Sequence, residues 1–246
     1  MQEVSFLLIA LFLPVFPLSM LFNALFARIT QPYLRAALLL VWPAVGIGLY
    51  HALDPVLPPW LAPLALATAL FYAFRLVAMR EVGVWTGYAA TSAWACLWLP
   101  VIHAEPGLYW YVAWFGVPFA VLALLVGGLE RRFGAAYTGL YGGLAQTLPR
   151  FAGVLVATVL AVMATPVFPT FFSMLKMLLA ARPVSAMLLL AVWVLWSWAG
   201  IRLLQGLVVG ERSHASVDDL APGLVWGFGV LMLVFTGAGL VMSGGV

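Results

Sequence analysis

Apolar positions along the chain gather in runs of about 20 residues, parted by short connections that hold nearly all the charge, and this pattern predicts membrane-crossing helices. Barrel strands would be shorter and would alternate polar with apolar positions. The first run, Val4 to Phe26, carries Pro14 and Pro17, which predict a kinked but retained first span. Further spans are read at Ala36 to Ala52, Trp60 to Met79, Val84 to Ile102 and Leu108 to Leu129. The Gly-, Tyr- and Thr-rich stretch that follows, residues 133–149, reads as a cytoplasmic interfacial connection. Arg150 to Pro166 then leads out, Phe168 to Val209 returns, and Gly223 to Met242 follows the polar stretch Glu211 to Asp219. At about 1.5 Å per residue, Phe168 to Val209 is much too long for one straight crossing, so it is expected to be a discontinuous helix broken near Arg182-Pro183. The fold class that follows is all-α: a polytopic protein of the lipid bilayer with about eight transmembrane helices, forming a single transmembrane domain over residues 1–246.

Composition removes the competing classes. Of the 246 residues 65% are hydrophobic and 8% charged, which excludes an ordinary soluble core. A pI near 9.2 raises the question of nucleic acid. The basic residues, however, are scattered singly between apolar runs, so they read as topology determinants and no nucleic-acid partner is implied. Cys96 is the only cysteine, which rules out an intrachain disulfide.

Alternating the spans puts Arg28, Arg35, Arg80, Arg131, Arg132, Arg150 and Arg212 on one side of the membrane. The positive-inside rule makes that side cytoplasmic, with both termini on the other side of a bacterial inner membrane.

The charges inside the apolar runs carry the candidate chemistry. Glu3, Asp54, Glu81, Glu105, Glu130, Glu211, Asp218 and Asp219 all fall in a terminus or a connection, which leaves Lys176 and Arg182 without an intramembrane acid in their own chain. A charge at that depth is expensive and marks an ion path or a buried contact. Lys176 has three readings: a proton relay by a desolvated amine, a contact to an acid on a partner subunit, or a bond to carbonyls freed by Pro166 and Pro169. Arg182 keeps its proton, so it either caps carbonyls at the Pro183 break or contacts a carboxylate or bicarbonate anion. Ser173 and Thr165 are candidates for a hydrated proton path, or else bond back to their own helix. Trp193, Trp196 and Trp198 are expected to face lipid or a partner. The histidines His51 and His103, near Asp54 and Glu105, read as interfacial residues. No P-loop, HExxH, CxxC or nucleophile–base pair is present, so no cofactor, metal or catalytic centre of the chain's own is expected.

One ordered set of motifs remains: Gly128-Leu129-Glu130-Arg131, Gly142-Gly143-Leu144, Pro149, a helix ending Ala164-Thr165-Pro166, and Phe171-Phe172-Ser173. Their order and spacing resemble the antiporter-like membrane subunits of respiratory complex I, membrane-bound hydrogenases and Mrp-type cation/proton antiporters. The resemblance implies a discontinuous helix with an ionisable residue in a half-channel, for which Lys176 is a displaced equivalent. Where the family carries a lysine or histidine in the preceding helices, Tyr111 to Val126 offers Trp114, Phe115, Gly116 and Pro118, and a complete family subunit is far longer. The chain therefore reads as a shortened relative that works beside other membrane subunits, an antiporter-like one among them, or a soluble catalytic protein. The resemblance also fits inorganic-carbon uptake systems, whose partner is a zinc, carbonic-anhydrase-like protein. Two functions follow: a contribution to proton or cation translocation, or a non-conducting scaffold that anchors a true antiporter subunit or a catalytic partner.

Overall fold

A computed structural model of the chain describes residues 2–140, 142–210 and 217–243, so that Glu211 and Arg212 lie outside the described residues. The helices are α1 (Gln2–Phe12), α2 (Ser19–Arg28), α3 (Pro32–Leu53), α4 (Leu61–Ala78), α5 (Val82–Cys96) and α6 (Trp98–Ile102). They continue with α7 (Leu108–Phe133), α8 (Leu144–Thr147), α9 (Pro149–Val162), α10 (Pro169–Ala180), α11 (Pro183–Leu207) and α12 (Pro222–Ser243). Among the described residues α3, α4, α7, α11 and α12 are long and apolar enough to cross a membrane singly.

The shorter helices work end to end. The expected kinked first span is instead two helices, because Pro14 and Pro17 together remove backbone donors within one turn. Trp98 Nε1 donates to Leu13 O at 2.9 Å, Phe22 packs on Trp94 at 4.8 Å between ring centroids, and Asn23 Nδ2 donates to Thr91 Oγ1 at 2.9 Å. The contacts thus climb α1 and α2 while descending α6 and α5, so α1 and α2 make one broken crossing.

A second broken crossing corrects the sequence expectation about where the discontinuity lies. The chain does leave its helix at Ala181-Arg182, but Phe171 on α10 lies 5.3 Å from Trp193 on α11. Both rings stand the same distance from the turn, so α10 and α11 run antiparallel; a continuous helix would separate them by roughly 30 Å. Arg182-Pro183 is therefore the turn of a hairpin at one end of the bundle. The broken crossing is α9 followed by α10, running along α7 in the opposite direction from Phe151 beneath Arg132 to Lys176 beside Glu105. The break spans residues 163–168, level with the middle of α11.

A break at that depth frees carbonyls that no water can reach, and side chains take their place. Leu160 O accepts from Thr165 Oγ1 at 3.0 Å, and Ala161 O from Thr170 Oγ1 at 2.7 Å. Trp193 Nε1 donates to Met163 O at 3.2 Å and Ala164 O at 3.1 Å. The backbone itself is strained, with positive φ at Ala164 (52°) and Val167 (90°), each costing about 1–3 kcal/mol. Gly239 on α12 lies against it, and a Cβ there would stand 2.9 Å from Pro169 N. The first break is satisfied alike: Trp42 Nε1 donates to Leu11 O at 3.0 Å, and Phe16 N to Thr68 Oγ1 at 3.0 Å. Both breaks carry the same tetrapeptide, Pro14-Val15-Phe16-Pro17 and Pro166-Val167-Phe168-Pro169.

At the arginine-rich end, α3 is tied to α7 by Arg35 Nη1 and Glu130 Oε1 at 2.8 Å, with side chains 8% and 28% exposed. Arg35 also donates to Ile29 O, and its guanidinium lies over the Phe26 ring at 5.9 Å. Removing one member of such a pair leaves an uncompensated charge, so Glu130→Ala should lower stability by about 3 kcal/mol. Thermal unfolding of the detergent-solubilised chain reads this, and an unshifted midpoint would show that the pair does not hold the two helices. Trp193→Phe keeps the ring but loses the donor to two carbonyls, and should cost about 1–2 kcal/mol. Amide exchange should then rise at residues 163–170 in particular, whereas a uniform rise would point away from the break.

Candidate functional site

α10 begins at the break and ends at the hairpin turn, which carries Lys176 out to the arginine-poor end of the bundle. There its Nζ lies 3.8 Å from Glu105 Oε2, with side chains 50% and 23% exposed. Glu105 is held in the tight connection between α6 and α7 by its N–H, which donates to Pro100 O at 2.9 Å, and by Gly107, whose φ of 75° suits glycine. The acid that pairs with Lys176 is thus a connection residue, and what differs from the sequence expectation is the depth of Lys176. The cause is the direction of α10: read as entering the membrane at Phe168, Lys176 falls deep, whereas α10 is leaving and Lys176 meets the connection that holds Glu105.

Lys176 also lines a cavity of about 210 Å³, together with Pro106, Gly107, Trp110, Tyr111, Trp114 and Ser173. Ser173 Oγ and Trp114 Nε1 are both buried, and neither has a hydrogen-bond partner among the described residues. An unpaired buried polar atom costs about 1–3 kcal/mol, and two of them facing one cavity of this size describe a place for water. The cavity can therefore hold a short hydrated chain from Lys176 to Ser173. Inward of it the packing is dry: the gap between Trp85, Phe119, Val162, Met163 and Trp196 leaves about 0 Å³ for water. Beside the other broken crossing, a cavity of about 310 Å³ is lined by Asn23, Tyr72, Arg75 and Tyr88, with Arg75 4.9 Å above the Tyr88 ring.

The structure brings Lys176 and Ser173 together and separates them from the rest of the expected set. Thr165 caps the break by bonding back to Leu160 O, and Pro166 and Pro169 flank that break. Arg182 and Pro183 form the hairpin turn, where Arg182 is exposed rather than near the membrane interior. Among the described residues its guanidinium has no hydrogen-bonding partner, so it does not cap the carbonyls there. Trp193 and Trp196 do not face lipid: one caps the break, and the other donates to Ser92 Oγ at 2.9 Å. Trp198 is exposed. Glu105, Tyr111 and Trp114 were missed as site residues, and the duplicated Pro-Val-Phe-Pro was the signal that could have located the break and hence the site. No group of three or more His, Cys, Asp or Glu side chains among the described residues is placed to hold a metal.

No family model matches the chain. A protein of Aquifex aeolicus to which no function is assigned is 25% identical over 220 residues, covering 85% of this chain and 88% of that one. Among solved structures, the respiratory complex I from Thermus thermophilus with bound NADH includes a chain that superposes with a TM-score of 0.78 at 26% identity over 92% of this chain. The Mrp complex from Dietzia sp. DQ12-45-1b gives 0.76 at 20% identity over 83%, and the membrane-bound sulfane sulfur reductase, an archaeal respiratory membrane complex, 0.79 at 15% over 94%. The last two likenesses show the fold alone. The chain spans about half the length of these proteins, with shares of 51%, 41% and 51%. It is a multi-pass membrane protein, similar over most of its length to the antiporter-like membrane subunits of complex I-like assemblies.

Proposed function

We propose that the chain is a membrane subunit of a multisubunit complex of the antiporter-like kind, and that it contributes to proton or cation translocation. The observation that carries this reading is the Lys176–Glu105 pair at 3.8 Å, with Lys176 lining a cavity that also bears the unpaired Ser173 and Trp114 donors. An amine, a carboxylate and a water-sized space form a proton-exchange site beside a broken helix. Arg28, Arg35, Arg75, Arg80, Arg131, Arg132, Arg150 and Arg202 gather at one end of the bundle, against Lys176 and Arg182 at the other. That bias supports a bacterial inner membrane with the cytoplasm at the arginine-rich end, both termini opposite, and the cavity opening away from the cytoplasm.

Neighbouring membrane subunits are supported by the breaks. Phe16 and Val167, at the two breaks, are 45% and 46% exposed, and irregular backbone at membrane depth is tolerated only where protein or a cavity covers it. An antiporter-like subunit is the partner this favours. A soluble catalytic protein, including a zinc protein of an inorganic-carbon uptake complex, and an Arg182 contact to a carboxylate or bicarbonate anion belong to the same reading.

The dry gap at Trp85, Phe119, Met163 and Trp196 favours a second reading, a non-conducting scaffold that anchors a true antiporter subunit or a catalytic partner. Two substitutions separate the readings. Lys176→Met and Glu105→Gln should each leave the complex assembled in mild detergent and lower coupled transport in vesicles by about a hundredfold. Unchanged transport by an assembled variant would remove the translocation reading, whereas release of a partner on purification would favour the scaffold.

A further inference from the structure

Away from the Lys176 cavity, the connection after α7 folds back over the arginine-rich end. Thr138 N donates to Arg80 O and Gly139 N to Gly206 O, each at 2.9 Å. Pinned there, it roofs a cleft of about 590 Å³ between the end of α4 and the last turns of α11, lined by Leu76, Val77, Arg80, Thr138, Arg202 and Gly206 among others. Arg80 and Arg202 thus share one cleft. Among the described residues neither guanidinium has an ion pair or a side-chain hydrogen bond to protein. Like charges sharing a cleft repel unless an anion lies between them.

The surface below the two arginines is apolar. Trp198, one turn before Arg202 on α11, is 55% exposed, and Phe74, one turn before Val77 on α4, is 69% exposed. The cleft is therefore lined by two arginines, and an exposed aromatic ring follows one turn away from it on each of the two helices. A soluble phosphate would satisfy only the arginines, and an acidic side chain of a protein partner would leave the apolar surface to be covered separately. A phospholipid matches both parts, because arginine forks pair with phosphate oxygens and basic pockets between crossing helices take anionic head groups. We propose that this cleft binds the phosphate of an anionic membrane phospholipid through Arg80 and Arg202, with an acyl chain along Phe74 and Trp198.

The test uses the full chain in mild detergent, with phosphatidylglycerol, phosphatidylcholine and inorganic phosphate as probes and native mass spectrometry as the readout. Phosphatidylglycerol should be retained in preference to phosphatidylcholine. Arg80→Gln and Arg202→Gln should each weaken its retention roughly fivefold and the double variant about twenty-fivefold. Inorganic phosphate at the same concentration should not displace the lipid. Equal retention of the two lipids, an unchanged double variant, or displacement by inorganic phosphate would overturn the proposal, the last assigning the cleft to a soluble anion. A photoreactive residue at position 138 that captures protein rather than lipid in the assembled complex would overturn it as well. The unfolding midpoint without added lipid separates a lost site from a lost fold, and if the double variant fails to fold, Arg202→Gln alone carries the comparison.

Discussion

The structure depends on the requirement that backbone polar groups out of reach of water find partners inside the protein. At residues 163–168 an α-helix stops near the middle of its crossing, and Thr165, Thr170 and Trp193 reach the carbonyls that the stop leaves open. Two of these side chains belong to the broken crossing itself, while the third comes from the returning arm of the hairpin, so the break is stable only when α11 is docked. α12 closes the other side, where Gly239 admits its backbone against Val167 and Pro169. A local interruption has thereby become a tertiary object built by three crossings, α9 with α10, α11 and α12.

The position of the break also decides where charge sits. Because α10 runs outward from mid-depth, Lys176 arrives at the bundle end, half-exposed, instead of in the hydrocarbon. Its pairing with Glu105 at 3.8 Å between partly exposed groups contributes at most about 1 kcal/mol. The two unpaired donors on the same cavity cost more than that if left dry. Stability therefore does not account for the site, and its polarity fits hydration better than cohesion. The opposite case is Arg35–Glu130, where burial and good geometry make a pair that ties α3 to α7.

The all-helical, membrane-crossing character of the chain and the arginine bias were legible because both are written locally, as runs of apolar residues and as single charges between them. The same runs hid the break. Thr165 to Pro169 looks like a connection between spans, and a proline-rich turn has the same local sequence whether it lies in water or at mid-depth; only the antiparallel contact of Phe171 with Trp193 tells the two apart. Reading it as a connection reversed α10, and with it the surroundings of Lys176. Glu105 could not be assigned as its partner from spacing, since the two meet across a loop and a helix far apart in sequence. Trp193 was misjudged for a related reason: it is apolar by composition, yet it donates a hydrogen bond to carbonyls at a break, as Trp42 and Trp98 do at the other break.

The two broken crossings run in opposite directions and each borders a polar cavity, one with Lys176 toward the arginine-poor end and one with Asn23 and Arg75 toward the arginine-rich end. Between them stands the dry packing of Trp85, Phe119, Met163 and Trp196. Polar groups on either side do not make a path while this centre is closed, because a proton needs a continuous chain of donors and acceptors. The centre is not uniformly apolar, however. Trp85 Nε1 is buried there with no partner among the described residues, and Trp196 Nε1 is committed to Ser92 Oγ, which in turn donates to Ala69 O at 2.7 Å. A water entering the gap would meet an unpaired indole donor, so opening this cluster costs less than opening hydrocarbon packing of equal size. The two proposed readings, a conducting subunit and a scaffold, therefore differ in whether the Trp85 cluster wets.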